Sequence, residues 1–317
     1  MNHYNSPEIN LNISPEPNMQ NICAIVITYH PDMEIYGRIE RIASQVNKVI
    51  IVDNGSSKEN ILELNKISSE LGVHLILNED NLGVATALNI GFDFACNSDY
   101  LFDWCLTMDQ DTILYPQMVQ NLIKAYKYCP FKKDLAIIGS NYEEYNTGRI
   151  LYDNRNNKKS WVEVEYLPTS GCLTSIAIYK SLGKFRDNLF IDYIDTEYCM
   201  RVNENEFKVI ISPVVNMRHP LGTYKFSKLF KFLFGRNKIT NYPPIRHYYW
   251  TRNGITIALE QFRKNMKWSI KELYYLLIRR VMIVLLFEDL KVKKMRNIFL
   301  GIFHAFIGRH SKLNDNH

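Results

Sequence analysis

Apolar and polar residues along the first two thirds of the chain follow two different periods. Residues 22–29, 48–52, 74–77, 104–108, 135–140 and 209–211 are short, nearly continuous apolar runs. Runs of that length without alternation read as strands covered on both faces. Residues 34–46, 58–71, 84–97 and 116–128 lie between them and read as helices, with Ser57 placed to cap the second. Strand and helix in turn predict a parallel sheet with crossover helices, an α/β fold. Residues 142–160 read as a polar loop, 161–166 as an edge strand and 177–182 as a further helix. Residues 1–20, rich in Pro and Asn, read as a flexible leader. Beyond residue 222 Lys and Arg interleave with Phe and Leu at helical spacing. The predicted divisions are therefore 1–20, 21–222 and 223–317.

In such sheets ligands bind at the carboxyl ends of the strands. Three predicted ends are polar: Thr28-Tyr29-His30, Asp53-Asn54-Gly55-Ser56 and Asp109-Gln110-Asp111. Side chains two apart on a strand point the same way, so Asp109 and Asp111 would face one spot. Two hard anionic ligands suit a divalent cation with positions left open for phosphate oxygens. An acidic turn explains the pair equally well on its own. No GxGxxG follows the first strand and no GxxxxGK[ST] occurs, which argues against a dinucleotide oxidoreductase and a P-loop enzyme. Residues 190–201 place three carboxylates, Asp192, Asp195 and Glu197, within six positions. Such neighbours raise one another's pKa and favour a working base.

Charge changes the picture of the last third. The net charge of +5 hides a split, because residues 218–317 carry 20 Lys and Arg against 5 Asp and Glu. An amphipathic surface on anionic lipid, a nucleic-acid surface, and a solvated cationic face with an oligomer interface would all be basic. The absence of a nucleic-acid motif disfavours the second reading. No stretch reaches the 18–20 apolar residues that span a bilayer. The six cysteines show no CxxC spacing and read as reduced thiols rather than a zinc site. The polar N-terminus lacks the pattern of a signal peptide.

Taken together, residues 27–31, Val52-Asp53-Asn54-Gly55-Ser56, Asn81-Leu82-Gly83 with residues 87–91, and Asp109-Gln110-Asp111 form an ordered set. Thr169-Ser170-Gly171, residues 190–197, Arg201 and His219-Pro220-Leu221-Gly222 extend it. The set resembles the family-2 glycosyltransferases of GT-A fold, and among them the bacterial rhamnosyltransferases. The resemblance implies a nucleotide-diphospho-sugar transferase fold, a mostly parallel central sheet flanked by helices. It places Thr28 and Asp53 at the donor nucleotide and makes Asp109 and Asp111 the metal-binding pair, with Asp109 also beside the donor. It adds His219 to the metal site, although Pro220 restricts His219 to extended geometry. It makes Asp195 the general base. Beside it, Asp192 suits either an acceptor contact or the shaping of the turn, and Glu197 is a further acceptor candidate. Glu197 also stands four residues before Arg201, the spacing of a structural ion pair.

The activity so implied is inverting transfer of a sugar, L-rhamnose from dTDP-L-rhamnose, to a hydroxyl of a lipid-linked glycan in cell-surface polysaccharide synthesis such as O-antigen, with Mg2+ or Mn2+. The expected setting is the cytoplasmic, inner face of the cell membrane. Expected partners are the donor, the acceptor and an anionic membrane surface, not nucleic acid, with a homo-oligomer also open. A hexose or galactofuranose donor, or a nucleotide-sugar-binding scaffold without turnover, are the alternatives.

Overall fold

A computed structural model of the chain describes residues 14–153, 159–220, 222–235, 238–310 and 312–313. Most of the expected leader lies outside them. Residues 14–17, expected to be loose, are pinned to the sheet: Trp104 Nε1 donates to Pro15 O at 2.8 Å, and Ser14 Oγ lies 2.6 Å from Ser175 Oγ.

The first half alternates as the pattern predicts: β1 (Ile22–Thr28), α1 (Ile35–Ala43), β2 (Lys48–Asn54), α2 (Lys58–Leu71), β3 (His74–Asn78), α3 (Val84–Asn97) and β4 (Trp104–Asp109). Then come β5 (Ile113–Leu114), α4 (Met118–Tyr128), β6 (Leu135–Glu144), β7 (Val162–Glu163), β8 (Cys172–Ser175), α5 (Ile176–Leu182), α6 (Ile194–Glu204) and β9 (Lys208–His219). The main sheet runs β3-β2-β1-β4-β8-β6-β9-β5, with β7 beside the start of β9. β3, β2, β1 and β4 are parallel, β8 is antiparallel between β4 and β6, and β6 and β9 are again parallel. The sequence order reverses between β1 and β4, and at such a switch point the strand ends open a crevice.

Both faces of the sheet are covered, which is why its strands lack alternation. Cys23 and Ile25 of β1 pack with α3, α5 and α6, while Ile22, Ala24 and Val26 pack with α1, α2 and α4. α1 shows the matching helical spacing, burying Ile35, Ile39 and Ile42. Ser57 caps α2 by accepting from Asn60 N, as predicted.

Two expectations are corrected. The last strand is not confined to residues 209–211 but continues to His219, because β5 pairs with its far end, Ile113 opposite Arg218. Residues 142–144, expected in a loop, extend β6 alongside it.

The basic region is not wholly helical. β10 (Thr223–Phe226) and β11 (Lys238–Asn241) form a two-stranded sheet around α7 (Lys228–Phe234). α8 (Pro244–Gln261), α9 (Met266–Tyr274), a π turn (Tyr275–Arg279), α10 (Arg280–Phe287) and α11 (Lys291–Phe306) follow. They close over a buried charge. Glu288 accepts from Lys294 Nζ at 2.6 Å and lies 3.1 Å from His247 Nε2 and 3.2 Å from Arg280 Nη2. Burial raises the Glu288 pKa, but these partners outweigh it and hold the carboxyl below its ordinary value. A carboxylate buried this deeply stays charged only because it is paired.

Candidate active site

Asp109 closes β4, and Asp111 lies in the turn that follows, where Thr112 N donates to Asp109 O at 3.2 Å. The two carboxylates share one spot, as expected, but a turn brings them together rather than strand alternation. Gln110 between them points elsewhere. Its Oε1 accepts from Tyr29 N at 2.7 Å and its Nε2 donates to Tyr29 O at 3.0 Å, tying this turn to the end of β1.

The β5–β9 pairing delivers His219 to the same place. Its Nε2 is 3.8 Å from Asp109 Oδ2 and its Nδ1 is 3.7 Å from Asp111 Oδ1. Ligand atoms of all three residues lie within 4.8 Å of one another. Nδ1 is also 2.8 Å from Thr112 Oγ1, which is 2.9 Å from Ser170 Oγ. A ring nitrogen held this way fixes the imidazole and turns Nε2 toward Asp109, the usual support of a metal-binding histidine.

The donor set fits a divalent cation. Asp111 Oδ1 is buried without a hydrogen-bond partner among the described residues, and a buried orphan acceptor is costly unless something cationic meets it. Burial, then the neighbouring charge of Asp109, push the Asp111 pKa up to about 6. Two carboxylates and an imidazole in one recess form a mixed O/N set that Mg2+ or Mn2+ accepts.

Beside this recess the ends of β1 and β2 form a second polar cluster. Thr28 Oγ1 donates to Asp53 Oδ1 at 2.9 Å, and Ser56 donates through N to Oδ2 at 2.9 Å and through Oγ to Oδ1 at 2.5 Å. Thr28 and Asp53 are fully buried, so Asp53 organises the loop from beneath. Gly55 adopts φ +81°, and a Cβ there would stand 2.7 Å from the Asp80 carbonyl carbon. Only glycine lets the two loops approach so closely.

The third cluster is the segment before α6. Phe190, Asp192 and Tyr193 all have φ between 53° and 65°, a left-handed conformation costly for such residues. It is held from two sides. Val84 N donates to Phe190 O at 2.6 Å, under Gly83. From α8, Asn253 Nδ2 donates to Leu189 O, Ile191 O and Asp192 O at 2.6, 2.9 and 3.0 Å, and Arg252 Nη2 to Asn188 O at 2.9 Å.

The segment aims Asp192 and Asp195 into a cleft of about 360 Å³. Arg246 pairs with both oxygens of Asp192. Burial lowers the Arg246 pKa, but the Asp192 carboxylate it pairs with outweighs that and holds it above its ordinary value. Asp195 Oδ1 accepts from Thr196 N at 2.7 Å. Burial, and the Asp192 charge beside it, push Asp195 up to about 6 against that hydrogen bond. Glu197 is not brought to these two. It pairs with Arg201 at 2.8 Å and lines a different cleft with Arg186 and Glu260.

The glycosyl transferase family 2 model matches residues 23–180, which contain the Asp53 loop and the Asp109–Asp111 turn. The chain carries a family-2 glycosyltransferase domain. The dTDP-rhamnosyl transferase RfbF of Shigella flexneri is 26% identical over 301 residues, 91% of this chain and 96% of that protein. Among solved structures, S. aureus TarS 1-349 aligns with a TM-score of 0.57 at 13% identity, over 90% of this chain and 80% of that one. The same TarS fragment in complex with UDP aligns at 0.51 and 15% identity, over 93% and 94%. These alignments agree with the GT-A glycosyltransferase fold and extend it past the matched domain.

Sequence reasoning gave this glycosyltransferase no role for Thr112, Ser170, Arg246 or Asn253. Ser170 stood inside a recognised motif, so the signal was present but not its meaning. Thr112 and Arg246 were legible only through the pairings that place them.

Proposed function

We propose that this glycosyltransferase moves L-rhamnose from dTDP-L-rhamnose, with inversion, to a hydroxyl of a lipid-linked glycan in cell-surface polysaccharide synthesis. The carrying observation is the pair of acidic clusters, Asp109–Asp111–His219 in one recess and Asp192–Asp195 in a cleft, the latter with Arg246 on Asp192. The choice of sugar rests on the similarity to RfbF.

Mg2+ or Mn2+ on Asp111, Asp109 and His219 would offset the charge that develops on the leaving diphosphate. Thr28 and Asp53 shape the floor under the nucleobase and ribose. Arg246 holds Asp192 at the acceptor side. Asp195 takes the proton of the acceptor hydroxyl as its oxygen attacks the anomeric carbon from the face opposite the leaving group. A carboxylate whose pKa lies near 6 is a stronger base than an ordinary one and remains ionised at neutral pH. Glu197 is left a structural role, paired with Arg201, which donates to Leu182 O and Lys184 O.

A lipid-linked acceptor agrees with the outer surface of the C-terminal helices. Ile270, Tyr274, Ile278, Met282 and Leu285 are exposed along α9, the π turn and α10, and Phe299, Phe303 and Phe306 along α11. Apolar stripes set among this many cations suit the surface of an anionic bilayer. No helix among the described residues is long and apolar enough to cross it. These stripes support the reading of an enzyme that works at the inner face of the membrane.

The test is release of nucleoside diphosphate from a panel of donors with Mn2+ or Mg2+. dTDP-L-rhamnose should turn over at least tenfold faster than UDP- or GDP-hexoses, and EDTA should abolish turnover. A faster hexose or galactofuranose donor would replace the sugar, and donor binding without turnover would support a scaffold.

A further inference from the structure

Most of the walls of the cleft at Asp195 come from beyond the matched domain. Trp250 comes from α8, Trp268, Lys271 and Glu272 from α9 and Tyr275 from the π turn, with Tyr166 on the opposite rim. The rings are set in place. Arg280 sits over the Trp250 ring, 4.6 Å from its centroid, and Tyr242 meets that ring edge-on at 5.3 Å. The Tyr193 hydroxyl donates to Glu272, tying the floor of the cleft to α9. Gly254 leaves the space Tyr193 occupies, since a Cβ there would stand 2.7 Å from the Tyr193 hydroxyl. Trp250 and Trp268 are half-buried and Lys271 is exposed, so the lining combines apolar ring surface with charged groups at its margin.

We infer that this cleft is the acceptor subsite and takes a pyranose ring, stacked on Trp268 and Trp250, with a hydroxyl presented to Asp195. A pyranose has an apolar face of C–H bonds and a rim of hydroxyls. Aromatic surface covers the first, and a few convergent polar groups, here Asp192, Lys271 and Glu272, read the second. A cleft of about 360 Å³ holds one or two such rings rather than a long chain. The same helix that lines the cleft with Trp268, Lys271 and Tyr275 turns Ile270, Tyr274 and Ile278 outward. A saccharide in the cleft and its lipid in a bilayer would therefore meet opposite faces of one helix. This inference rests on Asp195 being the base.

The experiment titrates the intact chain, with dTDP and Mn2+ present, with methyl α-L-rhamnoside, methyl β-D-N-acetylglucosaminide and methyl α-D-glucoside, following tryptophan fluorescence. At least one glycoside should give a saturable change. Trp268→Ala should weaken that binding about tenfold, Trp268→Phe should restore most of it, and dTDP affinity should stay within twofold in both. No saturable change with any glycoside, or unchanged affinity in Trp268→Ala, overturns the subsite. Glycoside binding that depends on Trp268 while Asp195→Asn still transfers sugar keeps the subsite and removes the base.

Discussion

The strand-end face and the helical layer that closes over it solve different physical problems. At the strand ends, functional groups sit on backbone fixed by the sheet. β1, β2 and β4 are buried on both faces, and their parallel register sets Asp53 opposite Thr28 and Asp109 opposite Ile27. Little else is needed to bring polar residues together there. The segment carrying Asp192 and Asp195 has no such frame. It adopts three left-handed non-glycine residues, and a helix some sixty positions later holds it there by side-chain hydrogen bonds. One half of the site is positioned by secondary structure and the other by tertiary clamps. The second is the more easily lost.

That contrast can be broken directly. The largest effect is expected for Asp195→Asn, which should lower transfer by about 10²-fold or more while donor binding persists, measured by single-turnover transfer and nucleotide titration. The wild-type rate at saturating Mn2+ should rise with pH through about 6 and level off above it. Below that value the Asp195 carboxyl is protonated and cannot accept the acceptor's proton. Unchanged transfer in Asp195→Asn would move the base elsewhere.

Next is Asn253→Ala, which strands three carbonyls of the clamped segment. A loss of about 2–3 kcal/mol in stability is expected by denaturant unfolding, with kcat falling more than donor KM. An equal fall at the strand ends, read as weakened nucleotide binding, would show that the two halves are not separately built.

The smallest effect is at the membrane surface. The docking of α8 through Arg252 and Asn253 makes removal of residues 223–317 a poor test, because the catalytic segment would lose its support. Met282→Asp with Phe303→Asp alters only exposed positions, and should reduce co-sedimentation with phosphatidylglycerol vesicles about fivefold without lowering Tm by more than a few degrees. Undiminished binding would take those stripes away from the bilayer.

Much of the first half was legible in the order of residues because periodicity reports local structure. Two-faced burial removes alternation from β1, β2 and β4, and the polar residues that stop each run mark where the crevice opens. Asp53, Asp109 and Asp111 could be singled out for that reason, and Asp195 through the resemblance of its motif. The basic region was legible only as charge and amphipathicity. Its buried Glu288 network and its two-stranded sheet leave no periodic trace.

The sequence by itself determined the strand–helix alternation, the polar strand ends and which carboxylates stood as candidates. Only the tertiary structure decided that Thr112, backed by Ser170, fixes the His219 ring, that one Asn253 amide holds three carbonyls, and that Glu197 lines a different cleft. The reason is physical. Local hydrogen bonding and burial imprint a repeat on the chain, whereas a long-range contact needs only one suitable group. Which of many such groups makes it is settled by packing.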